Sequence, residues 1–98
     1  MKIGIITITY NSHQVMDEFL RSIFAQTYPN WHLYVYDNSS EHSVEALLSK
    51  YGCSDTYDYV ALAHNYGFAV ANNLAIRHAI SDGCDAILLI NNDTVFQP

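Results

Sequence analysis

Four polar clusters punctuate the chain, each directly behind a short apolar run: Thr9-Tyr10-Asn11, Asp37-Asn38-Ser39-Ser40, His64-Asn65-Tyr66-Gly67 and Asn91-Asn92-Asp93-Thr94. Two of them carry an aspartate, and a carboxylate supports two kinds of recognition. It binds hard, oxygen-seeking cations such as Mg²⁺ or Mn²⁺, which take one or two carboxylates and leave the other positions to substrate phosphates and water. It also accepts hydrogen bonds without donating any, so it reads the imide N–H of uracil or thymine and rejects cytosine, whose equivalent nitrogen has no hydrogen. Asp93, closing an apolar run, is the expected metal ligand, with a turn aspartate as the alternative. Asp37 is the expected base reader, with capping of the following helix as the alternative. Gly67, between Tyr66 and Phe68, either admits main chain close to a ligand or supplies a positive φ.

The apolar runs are what must bring these clusters together. They comprise Ile3 to Ile8, Leu33 to Tyr36, Tyr59 to Ala63 and Ala86 to Ile90. None alternates cleanly between apolar and polar, which predicts strands covered on both faces. Between the first two runs, Val15, Met16, Phe19, Leu20, Ile23 and Phe24 recur at helical spacing, with Asn11 and Gln14 as a capping pair and Tyr28-Pro29 as the stop. A second helix carries Val44, Leu47, Leu48 and Tyr51, starts among Ser39, Ser40 and Ser43, and stops at Gly52. A third places Ala71, Leu74, Ala75 and Ala79 on one face and ends at Gly83. This alternation predicts an α/β fold: a Rossmann-like parallel sheet of about four strands with right-handed crossovers. In such a sheet the four clusters share one rim, where open α/β sheets bind ligands.

Composition narrows the partners. The 98 residues allow one domain, and 50% apolar against 14% charged residues describes a packed chain. Four Lys/Arg against ten Asp/Glu give a formal charge of −6, and no basic run offers itself to nucleic acid or to an anionic membrane. Neither a Gly-x-Gly-x-x-Gly turn nor a Walker loop follows the first run. Cys53 and Cys84 are too few for a disulfide framework or a four-ligand zinc site and are expected as free thiols, with proximity at one sheet edge as the alternative. The opening run is too short to span a membrane, so the expectation is a soluble, cytoplasmic domain. Trp31 and the tyrosines read as packing residues, His42 as a solvated loop residue and His64 as a structural hydrogen-bonder.

Taken together, Ile8-Thr9-Tyr10-Asn11, Asp37-Asn38-Ser39-Ser40, Asn65-Tyr66-Gly67-Phe68-Ala69 and Leu89-Ile90-Asn91-Asn92-Asp93-Thr94 resemble, in order and spacing, the amino-terminal half of a family 2 glycosyltransferase. Gln26-Thr27-Tyr28-Pro29-Asn30-Trp31 matches the segment before that family's second strand, and the Asn-Asn-Asp-Thr ending is most similar to its rhamnosyltransferase-like branch of bacterial polysaccharide enzymes. The resemblance implies a GT-A fold, a nucleotide-sugar donor, Mg²⁺ or Mn²⁺, and inverting transfer to a hydroxyl of a glycan or lipid-linked acceptor; a UDP- or dTDP-sugar is the expected donor, with guanine open as the alternative base. It implies that Thr9 and Tyr10 line the nucleoside pocket and that Asp37 faces the base. Asn11, Asn65, Gly67, Asn72, Asn91 and Asn92 belong to the same nucleotide site, and Asp93 holds the metal. Asn91 stands where many relatives have an aspartate, Asn72 where many have an arginine near the diphosphate, and Ser39 and His42 replace the usual Gly and Asp.

The resemblance also places the general base beyond residue 98, so the chain reads as the donor-binding portion of an enzyme, truncated after its Asp-x-Asp-like element. Such a piece is expected to bind nucleotide with metal, to transfer no sugar alone, and to self-associate through uncovered sheet surface. In full-length form it is expected in the cytoplasm, with the inner face of the membrane as a variant placement. Two rivals remain: a catalytically dead nucleotide-binding module, and a receiver-like signalling domain, which wants an acidic pair where Thr9-Tyr10-Asn11 has none. The donor-site reading requires Asp37 and Asp93 to meet on one rim, neither carboxylate sealed in hydrocarbon.

Overall fold

The computed structural model describes residues 1–10, 13–25, 30–38, 45–52 and 55–90. Along the chain run β1 (Ile3–Thr9), α1 (His13–Phe24), β2 (Trp31–Asp37), α2 (Glu45–Tyr51), β3 (Tyr57–Ala61), α3 (Phe68–Ser81) and β4 (Ala86–Leu89). All strand pairs are parallel and the sheet order is β3-β2-β1-β4. The chain steps outward from β1 to β2 and β3, then returns to the far side of β1 for β4. That reversal opens a crevice at the carboxyl ends of β1 and β4. A receiver-type sheet would seat the third strand beside the first; here β3 lies beyond β2, which removes that rival.

Strand alternation divides the core in two. Ile5, Leu33 and Val35 face α1 and α2, packing against Met16, Phe19, Leu20, Ile23 and Leu48. Ile6, Ile8, Tyr34 and Tyr36 face α3, packing against Ala71, Ala75 and Ala79. The expected covering of both faces therefore holds for β1 and β2. The three alanines recur at four-residue spacing, and their small size lets α3 lie over the large tyrosine rings. This narrow contact leaves Leu74, expected on the buried stripe, on the exposed flank. Val15, at the edge of the α1 stripe, is also exposed.

Other departures have local causes. β3 starts at Tyr57, two residues before the expected run, because Asp58 interrupts the apolar pattern while still pairing in register with Tyr34. In β4, Leu88 and Leu89 are about half exposed, so the expected two-sided covering fails at that edge of the sheet. α2 ends at Tyr51, directly before Gly52 as expected, but Gly52 does not take a left-handed conformation there; the positive-φ glycines are Gly67 and Gly83. A Cβ at Gly52 would lie 2.5 Å from the Phe24 ring, so close approach of α1 is what requires glycine there. Trp31 packs against Phe24 with ring centroids 5.3 Å apart, as a packing residue should. Across the helices, the Tyr51 hydroxyl donates to Asp17 Oδ1 at 2.7 Å and Lys50 Nζ lies 3.6 Å from the same oxygen. That hydrogen bond, then the lysine charge, holds the Asp17 carboxyl below the usual range. No described helix is long and apolar enough to cross a membrane. The Asn11–Gln14 cap, the Tyr28-Pro29 stop, the serine start of the second helix, Val44, His42 and Cys53 lie outside what is described.

Candidate functional site

Parallel strands deliver their carboxyl ends to one rim, and the expected residues on described segments gather there. Thr9 and Asp37 are register partners at the ends of β1 and β2. The ladder continues past them, with Asn38 N–H donating to the Thr9 carbonyl at 2.8 Å and Leu62 N–H to that of Asp37 at 2.8 Å. Asp37 is only 2% exposed, but its surroundings are polar. The Tyr59 hydroxyl, on the same sheet face, donates to its Oδ2 at 2.7 Å. Thr9 is fully buried, and its Oγ1 has no hydrogen-bond partner among the described residues. Tyr10, the next residue, is half exposed. The rim thus presents a buried carboxylate and a buried hydroxyl side by side, with an aromatic ring at the surface.

The loop after β3 is held to the same rim by amides. Asn38 Oδ1 accepts from Tyr66 N–H at 2.9 Å, tying the end of β2 to residues 28 positions further on. Asn65 Oδ1 accepts from Gly67 N–H at 2.9 Å, a local side-chain turn. Gly67 then enters α3 with φ 87°, a conformation that L side chains rarely adopt, and nothing lies within 4 Å of where its Cβ would be. Its conformation requires glycine, and the open space leaves the backbone accessible. No side chain caps α3, so its first N–H groups face the rim. His64 lies in this loop, exposed, its ring edge against Tyr66 at 5.8 Å.

Asn72 occupies the crevice. With Ile8, Phe68, Leu89 and Ile90 it lines a cavity of about 130 Å³ at the ends of β1 and β4. Enclosed ligand pockets measure roughly 300–1,000 Å³, so the described residues form one wall of a site. Ile90 N–H still donates to the Ile6 carbonyl at 3.0 Å, which keeps the chain paired along β1 up to the threshold of Asn91. Asn11, Asn91, Asn92 and Asp93 lie outside the described residues. Asp37, Asn65, Gly67 and Asn72 thus share a rim, with Asp37 on the α1 face of the sheet and Asn72 in the second turn of α3 on the other.

A second polar cluster, not singled out by sequence reasoning, lies toward the opposite rim. His78 Nε2, in the last turns of α3, is 3.0 Å from Asp58 Oδ2 on β3 and 3.6 Å from Asp82 Oδ2 just past the helix. Tyr36 hydroxyl pairs with His78 Nδ1 at 2.9 Å, and Tyr34 hydroxyl donates to Asp82 Oδ2 at 2.9 Å while lying 3.5 Å from Cys84 Sγ. Burial first, then the bonds to Cys84 and Asp82, pushes the Tyr34 phenol up; burial and the charges of Asp58 and Asp82 do the same for Tyr36. The only sequence signal was the four-residue spacing of His78 and Asp82; Asp58 arrives through sheet register.

Residues 4–98 match the glycosyl transferase family 2 model. The chain is 30% identical over 78 residues to TuaG of Bacillus subtilis (strain 168), a glycosyltransferase named for teichuronic acid biosynthesis, covering 79% of this chain and 31% of TuaG. It is 28% identical over 83 residues to EpsE of the same organism, also named as a glycosyltransferase, covering 83% of this chain and 30% of EpsE. The chain therefore spans about a third of the length of these relatives. Among solved structures, the mannosyltransferase PcManGT from Pyrobaculum calidifontis, in complex with GDP-Man and Mn²⁺, superposes with a TM-score of 0.85 at 24% identity, over 99% of this chain and 29% of that one. S. aureus TarS 1-349 in complex with UDP-GlcNAc gives 0.80 at 24% identity, over 95% and 27%. These superpositions show the fold, the amino-terminal part of GT-A enzymes.

Proposed function

The chain belongs to glycosyl transferase family 2, and from that premise we propose that it is the donor-binding part of an enzyme that moves a sugar, with inversion, from a nucleotide diphosphate to an acceptor hydroxyl. The observation that carries the reading is the shared rim: Asp37, fixed by Tyr59, and Asn72, in the β1–β4 crevice, flank the uncapped start of α3. Asp37 accepts the imide N–H of a uracil or thymine base. The Thr9 hydroxyl, buried and unsatisfied among the described residues, and the half-exposed Tyr10 ring, with Asn11, complete the nucleoside side. The open backbone at Gly67, held by Asn65, and the first N–H groups of α3 suit the diphosphate, since a helix start favours anions. Asn72 adds a neutral amide donor there.

The segment that follows Ile90 supplies only oxygen donors, the amide carbonyls of Asn91 and Asn92 and the Asp93 carboxylate, a set suited to Mg²⁺ or Mn²⁺. Asp93 would hold the ion, which when bound supplies Lewis-acid stabilisation of the leaving diphosphate. The general base that takes the acceptor proton comes, in this reading, from beyond residue 98. The acceptor in this reading is a glycan or a lipid-linked one; the name of TuaG, which refers to teichuronic acid biosynthesis, supports a role in bacterial polysaccharide synthesis. In this reading the protein works in the cytoplasm, at the inner face of the membrane when its acceptor is lipid-linked. Exposed Leu88, Leu89 and Phe68 support self-association of this chain through the β4 side.

Titrating UDP, dTDP and GDP with and without Mn²⁺ tests the reading. Metal-dependent binding of a uracil or thymine nucleotide is expected in the native chain, lost in Asp93→Ala and with weakened base discrimination in Asp37→Asn. Absence of nucleotide binding, or binding indifferent to both substitutions, overturns it.

A further inference from the structure

The cluster at the amino-terminal rim has no part in donor binding, yet its composition is that of a ligand set rather than of a surface ion pair. His78 Nε2 and one carboxylate oxygen each of Asp58 and Asp82 lie within 4.8 Å of one another. Around a tetrahedral ion with bonds of roughly 2.0–2.2 Å, ligand atoms are separated by about 3.2–3.6 Å. Of the separations from the imidazole, 3.6 Å falls within that range and 3.0 Å just below it, so the ligand atoms move apart slightly on the Asp58 side when an ion enters. The three side chains are between 27% and 39% exposed, which leaves room for the small remaining adjustment and for entry of an ion from solvent.

The outer groups point the same way. A metal-ligating histidine is oriented by the partner of its other nitrogen, and here Tyr36 holds His78 Nδ1 at 2.9 Å, directing Nε2 at both carboxylates. Tyr34 steadies Asp82. Asp58 Oδ1 faces His32 Nε2 at 3.6 Å, a buried nitrogen with no hydrogen-bond partner among the described residues. Two carboxylates converge on one imidazole, so the cluster gathers more negative than positive charge and favours a divalent cation. Mixed nitrogen and carboxylate donors suit Zn²⁺ over Mg²⁺ or Ca²⁺, which prefer oxygen alone.

We propose that Asp58, His78 and Asp82 form a zinc-type divalent metal site that fastens the end of α3 to β3, on the rim opposite the donor site. In it, Nδ1–H donates to the Tyr36 hydroxyl, Nε2 carries the lone pair, and water completes the coordination. The site is independent of the donor reading, since none of its residues belongs to the carboxyl rim.

The test uses the full chain stripped of metal with a chelator and titrated with Zn²⁺, and with Co²⁺ as a spectroscopic stand-in. One equivalent of Zn²⁺ is expected to bind and to raise the thermal midpoint, and Co²⁺ to give the visible bands of a nitrogen-and-oxygen tetrahedral site. His78→Gln and Asp82→Asn abolish both signals, Asp93→Ala leaves them unchanged, and Tyr36→Phe weakens binding by roughly tenfold, as loss of an outer partner does. Asp58→Asn, read alongside circular dichroism, separates loss of a ligand from loss of fold. A metal-free histidine–carboxylate cluster is the result that overturns the proposal: no Zn²⁺ taken up, uptake indifferent to His78→Gln in folded protein, or uptake lost only in Asp93→Ala.

Discussion

At the carboxyl rim, Asp37 receives a neutral hydroxyl from Tyr59, and the surrounding loop is pinned by the amides of Asn38 and Asn65. At the amino rim, His78 is gripped by two carboxylates and a phenol. The first arrangement fixes geometry with uncharged contacts and leaves an open helix start and a crevice. The second gathers two carboxylates around one imidazole. One rim is thus built from neutral hydrogen-bonding groups around a single carboxylate, the other from charged groups drawn together between α3 and β3. Both hang on α3, whose first turns serve one rim and whose last turns serve the other.

The largest test of that contrast is Ala75→Leu. Ala75 is fully buried against the sheet, and overpacking such a site costs typically 1–3 kcal/mol, with more where rigid rings oppose it. Chemical denaturation should show the loss, and nucleotide binding should weaken with it because α3 is lifted from both rims. Unchanged binding would mean that the carboxyl rim stands without the helix seat. Next comes Tyr59→Phe, which deprives the buried Asp37 carboxylate of a donor and costs about 1–3 kcal/mol. Its mark should be loss of base discrimination by calorimetry, an effect no amino-rim substitution shares.

Smaller effects follow with pH, and their signs differ. The Tyr34 phenol is raised by burial, so its contribution is fully present below the unfolded value of about 10 and is lost as pH rises through the folded value. Tyr34→Phe should flatten the alkaline fall in denaturation midpoint. Asp17 is lowered by Tyr51, so its contribution is present above its unfolded value and lost as pH falls through the lower folded value. Tyr51→Phe should trim the acid limb alone, and only slightly, because that pair is open to solvent. An alkaline limb untouched by Tyr34→Phe would place the rim's polar burial elsewhere.

Much of the architecture was legible because periodicity and burial are local signals: the Met16, Phe19, Leu20, Ile23 stripe and the alanines at 71, 75 and 79 each predict a face. Asp37, Asn65 and Gly67 were legible as a rim because strand ends in a parallel sheet must align, whereas Asn72, inside α3, came only through the family resemblance. What escaped depends on tertiary distance. Asp58 hid the start of β3 by breaking the apolar run, yet faces α3 through its pairing with Tyr34. The Tyr59–Asp37 and Asn38–Tyr66 bonds cross between elements, so no spacing announces them. Leu74 and Val15 were assigned by helical spacing, but how wide a stripe a helix buries depends on how closely it sits on the sheet. Gly52 was assigned by a rule about helix ends, while the actual constraint is the Phe24 ring of another helix.

The alanine seat of α3 has a mechanical corollary. Methyl groups interlock weakly, so the 14-residue helix, about 20 Å long, rests on the tyrosine face like a rod on a smooth bearing. Beyond that seat its two tips are held by the loop at Gly67 and by the clasp around His78. A tug at either tip is therefore transmitted along the whole rod, and the stiffness of one fastening sets how far the other can travel.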